Sequence, residues 1–143
     1  MMKTATITAG EVMTGFVAAE PSDTLGEIAE KMRETDVGSA LVIDYGRLVG
    51  ILTSRDMLRA VAERTHSSEA RARAWMTPDP RVARTDTPAA EAALMMVEQG
   101  CHHLPVVDMD GRPIGVVGMR SVVSRTIEPV KGVRNECAEA TED

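Results

Sequence analysis

Apolar residues recur along this chain with two periods, and the changes of period mark its elements. Leu25, Ile28, Ala29 and Met32 follow the i, i+3, i+4, i+7 spacing of a helix face, which predicts a helix to about Thr35. Asp23 or Thr24 stands where its N-cap belongs. Short apolar runs then predict strands over 40–43 and 47–52, joined by a turn at Asp44-Tyr45-Gly46. A helix from Ser54 to about Arg64 follows, with Met57, Leu58, Val61 and Ala62 expected inward. Ahead of all this lie a lead-in turn or helix over 10–13 and a short strand over 16–19.

The second half repeats these predictions. Ala89, Ala92, Ala93, Met96 and Val97 share a helix face, with Thr87 as expected cap, Pro88 in the first turn and Gly100 as terminator. Strands over 104–107 and 113–117 flank a turn at Asp110-Gly111, and a last helix runs from Met119 to about Ile127. Identities bear the repetition out. Val12-Met13-Thr14 returns 63 residues later as Trp75-Met76-Thr77, Val42-Ile43-Asp44 returns 64 later as Val106-Val107-Asp108, and Val49-Gly50-Ile51 returns 65 later as Ile114-Gly115-Val116. Single-residue insertions near the helix start and in the hairpin turn account for the drift.

Composition narrows what such a chain does. The 143 residues suffice for one core, while halves of about 60 residues are each marginal alone and should pack together. Aromatic residues make up 2%, so the core must be aliphatic, with 10 Met as filler. A net charge of −6 and single Phe, Tyr and Trp residues argue against nucleic-acid binding. The basic cluster Arg64, His66, Arg71 and Arg73 reads as a solvated face. No apolar run approaches the ~18 residues of a membrane span, and no signal-peptide pattern opens the chain, so a cytoplasmic protein without membrane contact is expected.

The residues with chemistry to offer sit where the strand over 47–52 turns into a helix, in Gly50-Ile51-Leu52-Thr53-Ser54-Arg55-Asp56. Thr53 with Asp56 three residues on is capping-box spacing. The same turn brings a hydroxyl, free N–H groups and a carboxylate to a strand's carboxyl end, where phosphate and ribose hydroxyls find partners. The second copy reads Gly115-Val116-Val117-Gly118-Met119-Arg120-Ser121 and lacks both the hydroxyl and the carboxylate. In Cys101-His102-His103, strand alternation would put only Cys101 and His103 on one side, too few ligands for a structural zinc, so no metal is expected. No catalytic spacing stands out.

The Met-Thr openings, the Leu-Pro-Val-Val-Asp strand at 104–108 and the Gly-x-x-Thr-x-x-Asp turn at 50–56 together resemble the cystathionine-β-synthase (CBS) domain. The tandem resembles a CBS pair, or Bateman module, of the small stand-alone bacterial or archaeal type. The resemblance implies an α+β fold of two tandem βαββα repeats packed as a pseudo-two-fold pair. The expected division is a flexible N-terminus over 1–9, repeats over 10–66 and 75–127, a linker helix region over 67–74 in which Ser68 can cap a helix from Glu69 to Ala74, and an acidic, partly disordered tail over 128–143. It implies a non-catalytic regulatory module with no cofactor, binding AMP, ADP, ATP or S-adenosylmethionine between the repeats. Matched residue by residue, Asp56 takes the ribose; Thr53, Ser54 and Arg55 lie by the phosphate, faced by His102 and His103. Met13, Thr14 and Val17 line the base pocket, and Arg120 marks a weaker second site. The resemblance further implies a homodimer through helix contacts over 57–62 and 122–127, and an unidentified protein partner. The alternative is an interaction module whose ligand site is vestigial.

Overall fold

In the computed structural model, which describes residues 6–126, the element order is α1 (Ala9–Val12), β1 (Val17–Ala19), α2 (Leu25–Thr35), β2 (Ser39–Asp44), β3 (Arg47–Thr53), α3 (Ser54–Ala62), α4 (Ala72–Trp75), β4 (Thr77–Pro78), β5 (Ala83–Arg84), α5 (Ala89–Gln99), β6 (His103–Val107), β7 (Pro113–Gly118) and α6 (Met119–Thr126). The expectations for the acidic tail, Ile127 and Cys137 lie outside the described residues. So do residues 1–5. The fold is α+β, with β1-β2-β3-β4 in one sheet and β5-β6-β7 in the other.

Local chemistry accounts for the element ends. Thr24 accepts from the Glu27 N–H at 3.2 Å, capping α2, and its hydroxyl donates to the Glu27 carboxylate at 2.9 Å. That helix buries Leu25, Ile28 and Met32 and stops at Asp36 in the left-handed region, φ 54°. α5 stops at the matching position with Gly100, φ 67°. The β2–β3 hairpin closes on Tyr45 and Gly46, both at positive φ, the requirement of a type I′ turn.

Thr87 does not cap α5. The inserted residue puts Pro88 at the N-cap and moves Thr87 one place out, where its hydroxyl accepts from the Arg84 N–H at 2.9 Å. Asp23 makes the same bond to the Glu20 N–H in the first half, at 2.8 Å. The helix expected over 67–74 is also shorter. Residues 67–69 form a turn, and α4 begins at Ala72 behind Arg71, with no side-chain cap from Ser68.

The halves exchange their lead-ins. Thr14 pairs with Val116 of β7 through two backbone bonds of 2.8 and 3.0 Å. Thr77 of β4 pairs with Ile51 of β3. Met13 lies over Gly115 and Met76 over Gly50, so each methionine fills space that a side chain on the other half's strand would need. Ile7, Ala9, Val12 and Met13 accordingly belong to the core around Met96, Leu104 and Val117, while Ala70, Ala72, Trp75 and Met76 belong to the core around Ile28, Val42 and Leu52. Residues 7–9, expected to be loose, are therefore held: Thr8 bridges Pro88, and Ala9 is fully buried. Leu41, Ile51 and Val116, flanked by Phe16 and Leu48, seal the seam between the halves. These reciprocal pairings make the pseudo-two-fold.

Three helices, α3, α5 and α6, turn apolar residues outward. Leu58 and Val61 of α3 are 70% and 71% exposed, and only Ala60 is buried there. Val97 of α5 is likewise 67% exposed. Periodicity shows which residues share a face but not which face meets the core.

Candidate functional site

At the carboxyl end of β3 the chain turns directly into α3, and the turn is fastened at both ends. The Ser54 N–H donates to the Gly38 carbonyl at 3.2 Å. Asp56 Oδ2 accepts from the Thr53 N–H at 2.8 Å and from the Thr53 hydroxyl at 3.2 Å, the reaching-back arm of a capping box. Oδ1 faces Arg59 Nη2 at 3.8 Å. The Asp56 side chain keeps 15% of its surface exposed, toward a cavity of about 610 Å³. That volume falls within the range of small-molecule sites.

The cavity draws on both repeats. Ile51 and the 53–56 turn form one wall, segment 77–81 a second, and segment 99–105 a third. Six expected site residues, Thr53, Ser54, Arg55, Asp56, His102 and His103, are thus brought together. The N-terminus of α3 lies there, with the Ser54 N–H already taken by the Gly38 carbonyl. Arg55, Arg81, His102 and His103 are the basic side chains, against Asp56 and Asp79. Arg81 has Glu98 at 3.8 Å.

Met13, Thr14 and Val17 do not share this cavity. Thr14 is paired to β7, Met13 lies on Gly115, and Val17 is 6% exposed inside the first core. Exchange of the lead-ins is the reason: the segment opposite Asp56 is the second copy of that stretch, Thr77, Pro78, Asp79 and Pro80. The 63-residue offset could have identified it, since it carries Thr14 onto Thr77 and Val17 onto Pro80. Arg120, exposed at the start of α6, lies outside the cavity beside Gly118 and Ser121 of the second turn.

His103 begins β6 half-buried, and a methyl group on Gly38 would lie 3.1 Å from its Nε2. Burial, and then His102 beside it, holds its pKa below the ordinary 6.5. Cys101 and His102 precede the strand, so strand alternation does not govern them; both line the cavity with His103. Among the described residues no three metal-ligating side chains gather, and no helix is long and apolar enough to cross a membrane.

The CBS domain family model matches residues 9–63 and 72–128. The chain belongs to the CBS-domain family, as a tandem pair. A 17.7 kDa protein of Acidianus ambivalens is 32% identical over 116 residues, 80% of this chain and 70% of that protein. A CBS domain-containing protein of Arabidopsis thaliana is 36% identical over 127 residues, 86% of this chain but 23% of that protein. The chain likewise spans 63% of a Methanopyrus kandleri relative. Among solved structures, a CBS domain protein of Pyrobaculum aerophilum complexed with AMP superposes with TM-score 0.75 at 27% identity, over 80% of this chain and 89% of that one. The CBS protein CBSX2 in complex with AMP gives TM-score 0.67 at 31% identity, over 81% and 93%.

Proposed function

We propose that this CBS pair is a non-catalytic regulatory module that binds an adenine nucleotide in the cavity between its repeats. The observation that carries the reading is the meeting, in one cavity of nucleotide size, of a helix N-terminus, a partly exposed carboxylate and basic side chains from both repeats. Asp56 takes the ribose hydroxyls through Oδ1. The Arg55 N–H at the start of α3, with the Thr53 and Ser54 hydroxyls, the Arg55 side chain, His102 and His103, takes the phosphates. Thr77, Pro78 and Pro80 flank the base, the part first expected of Met13, Thr14 and Val17. The two AMP-bound relatives support the ligand class. The basic lining favours phosphate over the cationic sulfonium of S-adenosylmethionine.

The module acts as a cytoplasmic homodimer and passes ligand occupancy to a protein partner. Leu58 and Val61 of α3 and Val123 of α6, exposed and apolar, supply the dimer face. A thermal-shift and calorimetric series with AMP, ADP, ATP and S-adenosylmethionine tests the reading. Nucleotide at about a hundredfold its dissociation constant should stabilise the fold by roughly 2.7 kcal/mol. If no adenosine compound shifts the melting temperature, the interaction-module alternative takes its place.

A further inference from the structure

Arg59 is not among the residues that line the cavity, yet it joins α3, whose first turn forms one wall, to Trp75, two residues ahead of Thr77 in another. One helical turn beyond Asp56, its Nη2 sits 3.8 Å from Asp56 Oδ1 and 3.3 Å from the Trp75 carbonyl, to which it donates. Its guanidinium carbon lies 5.1 Å from the centroid of the Trp75 ring, within cation–π range. Trp75 packs against the first core and ends α4, two residues before Thr77 of the opposite wall.

The geometry of the carboxylate gives this contact a purpose. Oδ2 is taken up by Thr53, through its N–H and its hydroxyl. Oδ1 has the Arg59 charge near it, but at 3.8 Å it receives no hydrogen bond from that group. Were Arg59 free, it could swing into a bidentate pair with Asp56, occupying both oxygens. Stacked on Trp75 and bonded to the Trp75 carbonyl, it is held short of that pair. Among the described residues Oδ1 thus accepts no hydrogen bond, on a side chain that lines the cavity.

We propose that Arg59, pinned on Trp75, is a positioning residue for nucleotide recognition: it orients Asp56 Oδ1 toward the ribose hydroxyls and ties the α3 wall to the segment facing it. This rests on the assignment of Asp56 to the ribose, and the test separates the two. The probes are AMP and 2′,3′-dideoxy-AMP, which lacks both ribose hydroxyls. Titration of the wild-type chain should show AMP preferred by about tenfold or more. Arg59→Ala should reduce that preference to about threefold or less, mainly by weakening AMP. Arg59→Lys, which keeps the charge but not the planar stack, should fall between them. Arg59 is 55% exposed, so these variants should fold, and melting curves check that they do. The only Trp of the chain is Trp75, so its emission reports the stack directly. AMP should change that emission in the wild type and much less in Arg59→Ala. A wild type that binds AMP and its dideoxy analogue equally, or binds neither, overturns the ribose assignment and this proposal with it. A wild type that discriminates, with Arg59→Ala and Arg59→Lys discriminating just as well, overturns the role of Arg59 alone.

Discussion

The turns at 50–56 and 115–121 share a backbone and differ in what they offer a ligand. Each leaves a strand for a helix, and each fastens its first helical N–H across the sheet, Ser54 to the Gly38 carbonyl at 3.2 Å and Met119 to the His102 carbonyl at 2.9 Å. Each strand carries a glycine under a methionine from the other half. Where the first turn has Thr53 and Asp56, the second has Gly118 and Ser121. The fold therefore needs the glycine and the cross-sheet bond. The ligand chemistry proposed for the first turn rests on two side chains that the second turn folds without.

The largest effect should come from attacking what the turns have in common. A side chain at Gly50 would collide with the Met76 sulfur, and one at Gly115 would lie 2.7 Å from the Met13 sulfur. Either Gly50→Val or Gly115→Val should cost about 2–3 kcal/mol by overpacking, read from denaturant midpoints. Gly118→Val is the control, since the nearest atom to a methyl there is 3.9 Å away. Equal losses at all three positions would mean that the methionine seats are not what holds the halves together.

What separates the turns should show next. Asp56→Ala should weaken AMP by about 1.5–3 kcal/mol, roughly 10- to 150-fold, while Ser121→Ala leaves it unchanged. Stability should fall by only about 0.5–1 kcal/mol in Asp56→Ala, the share of a lost cap. Equal binding losses from the two substitutions would erase the distinction.

How far these differences could be read in advance depends on the range of the interactions. α2 was legible because its cap, its apolar spacing and its end are encoded within about a dozen residues. The chemistry of the 50–56 turn was legible for the same reason: Thr53 and Asp56 meet within one helical turn. The placement of Met13, Thr14 and Val17 was not, because it depends on Thr14 pairing with a strand 102 residues away. Nor does a period of 3.6 say that Leu58 and Val61 face outward, since that is settled by where the sheet lies. Thr87 failed as a cap because one inserted residue gave its place to Pro88.

A smaller effect concerns assembly. Val61→Glu on α3 should raise the dimer dissociation constant by about tenfold, or ~1.4 kcal/mol, and Val123→Glu on α6 should do the same. Light scattering that finds the wild type monomeric at micromolar concentration would contradict the proposed dimer face.

The smallest effect is on pH dependence. His103 has a folded pKa below 6.5, so the folded chain takes up this proton less readily than the unfolded one. Its contribution to stability is full above 6.5 and is lost as pH falls through 6.5 and down to the lowered folded value. Urea midpoints should drop between pH 7.5 and 5.5, and His103→Gln should shrink that drop. His102→Gln should shrink it less, because burial outweighs the neighbouring imidazole. An unchanged drop in His103→Gln would assign the acid sensitivity to other groups.

The inequality of the two turns is tested most directly by calorimetric titration of the intact chain with AMP. The account predicts one binding event per chain, absent at the same concentrations in Asp56→Ala and unaltered in Ser121→Ala. Two equal events per chain, or an Asp56→Ala titration that overlays the wild type, would contradict it.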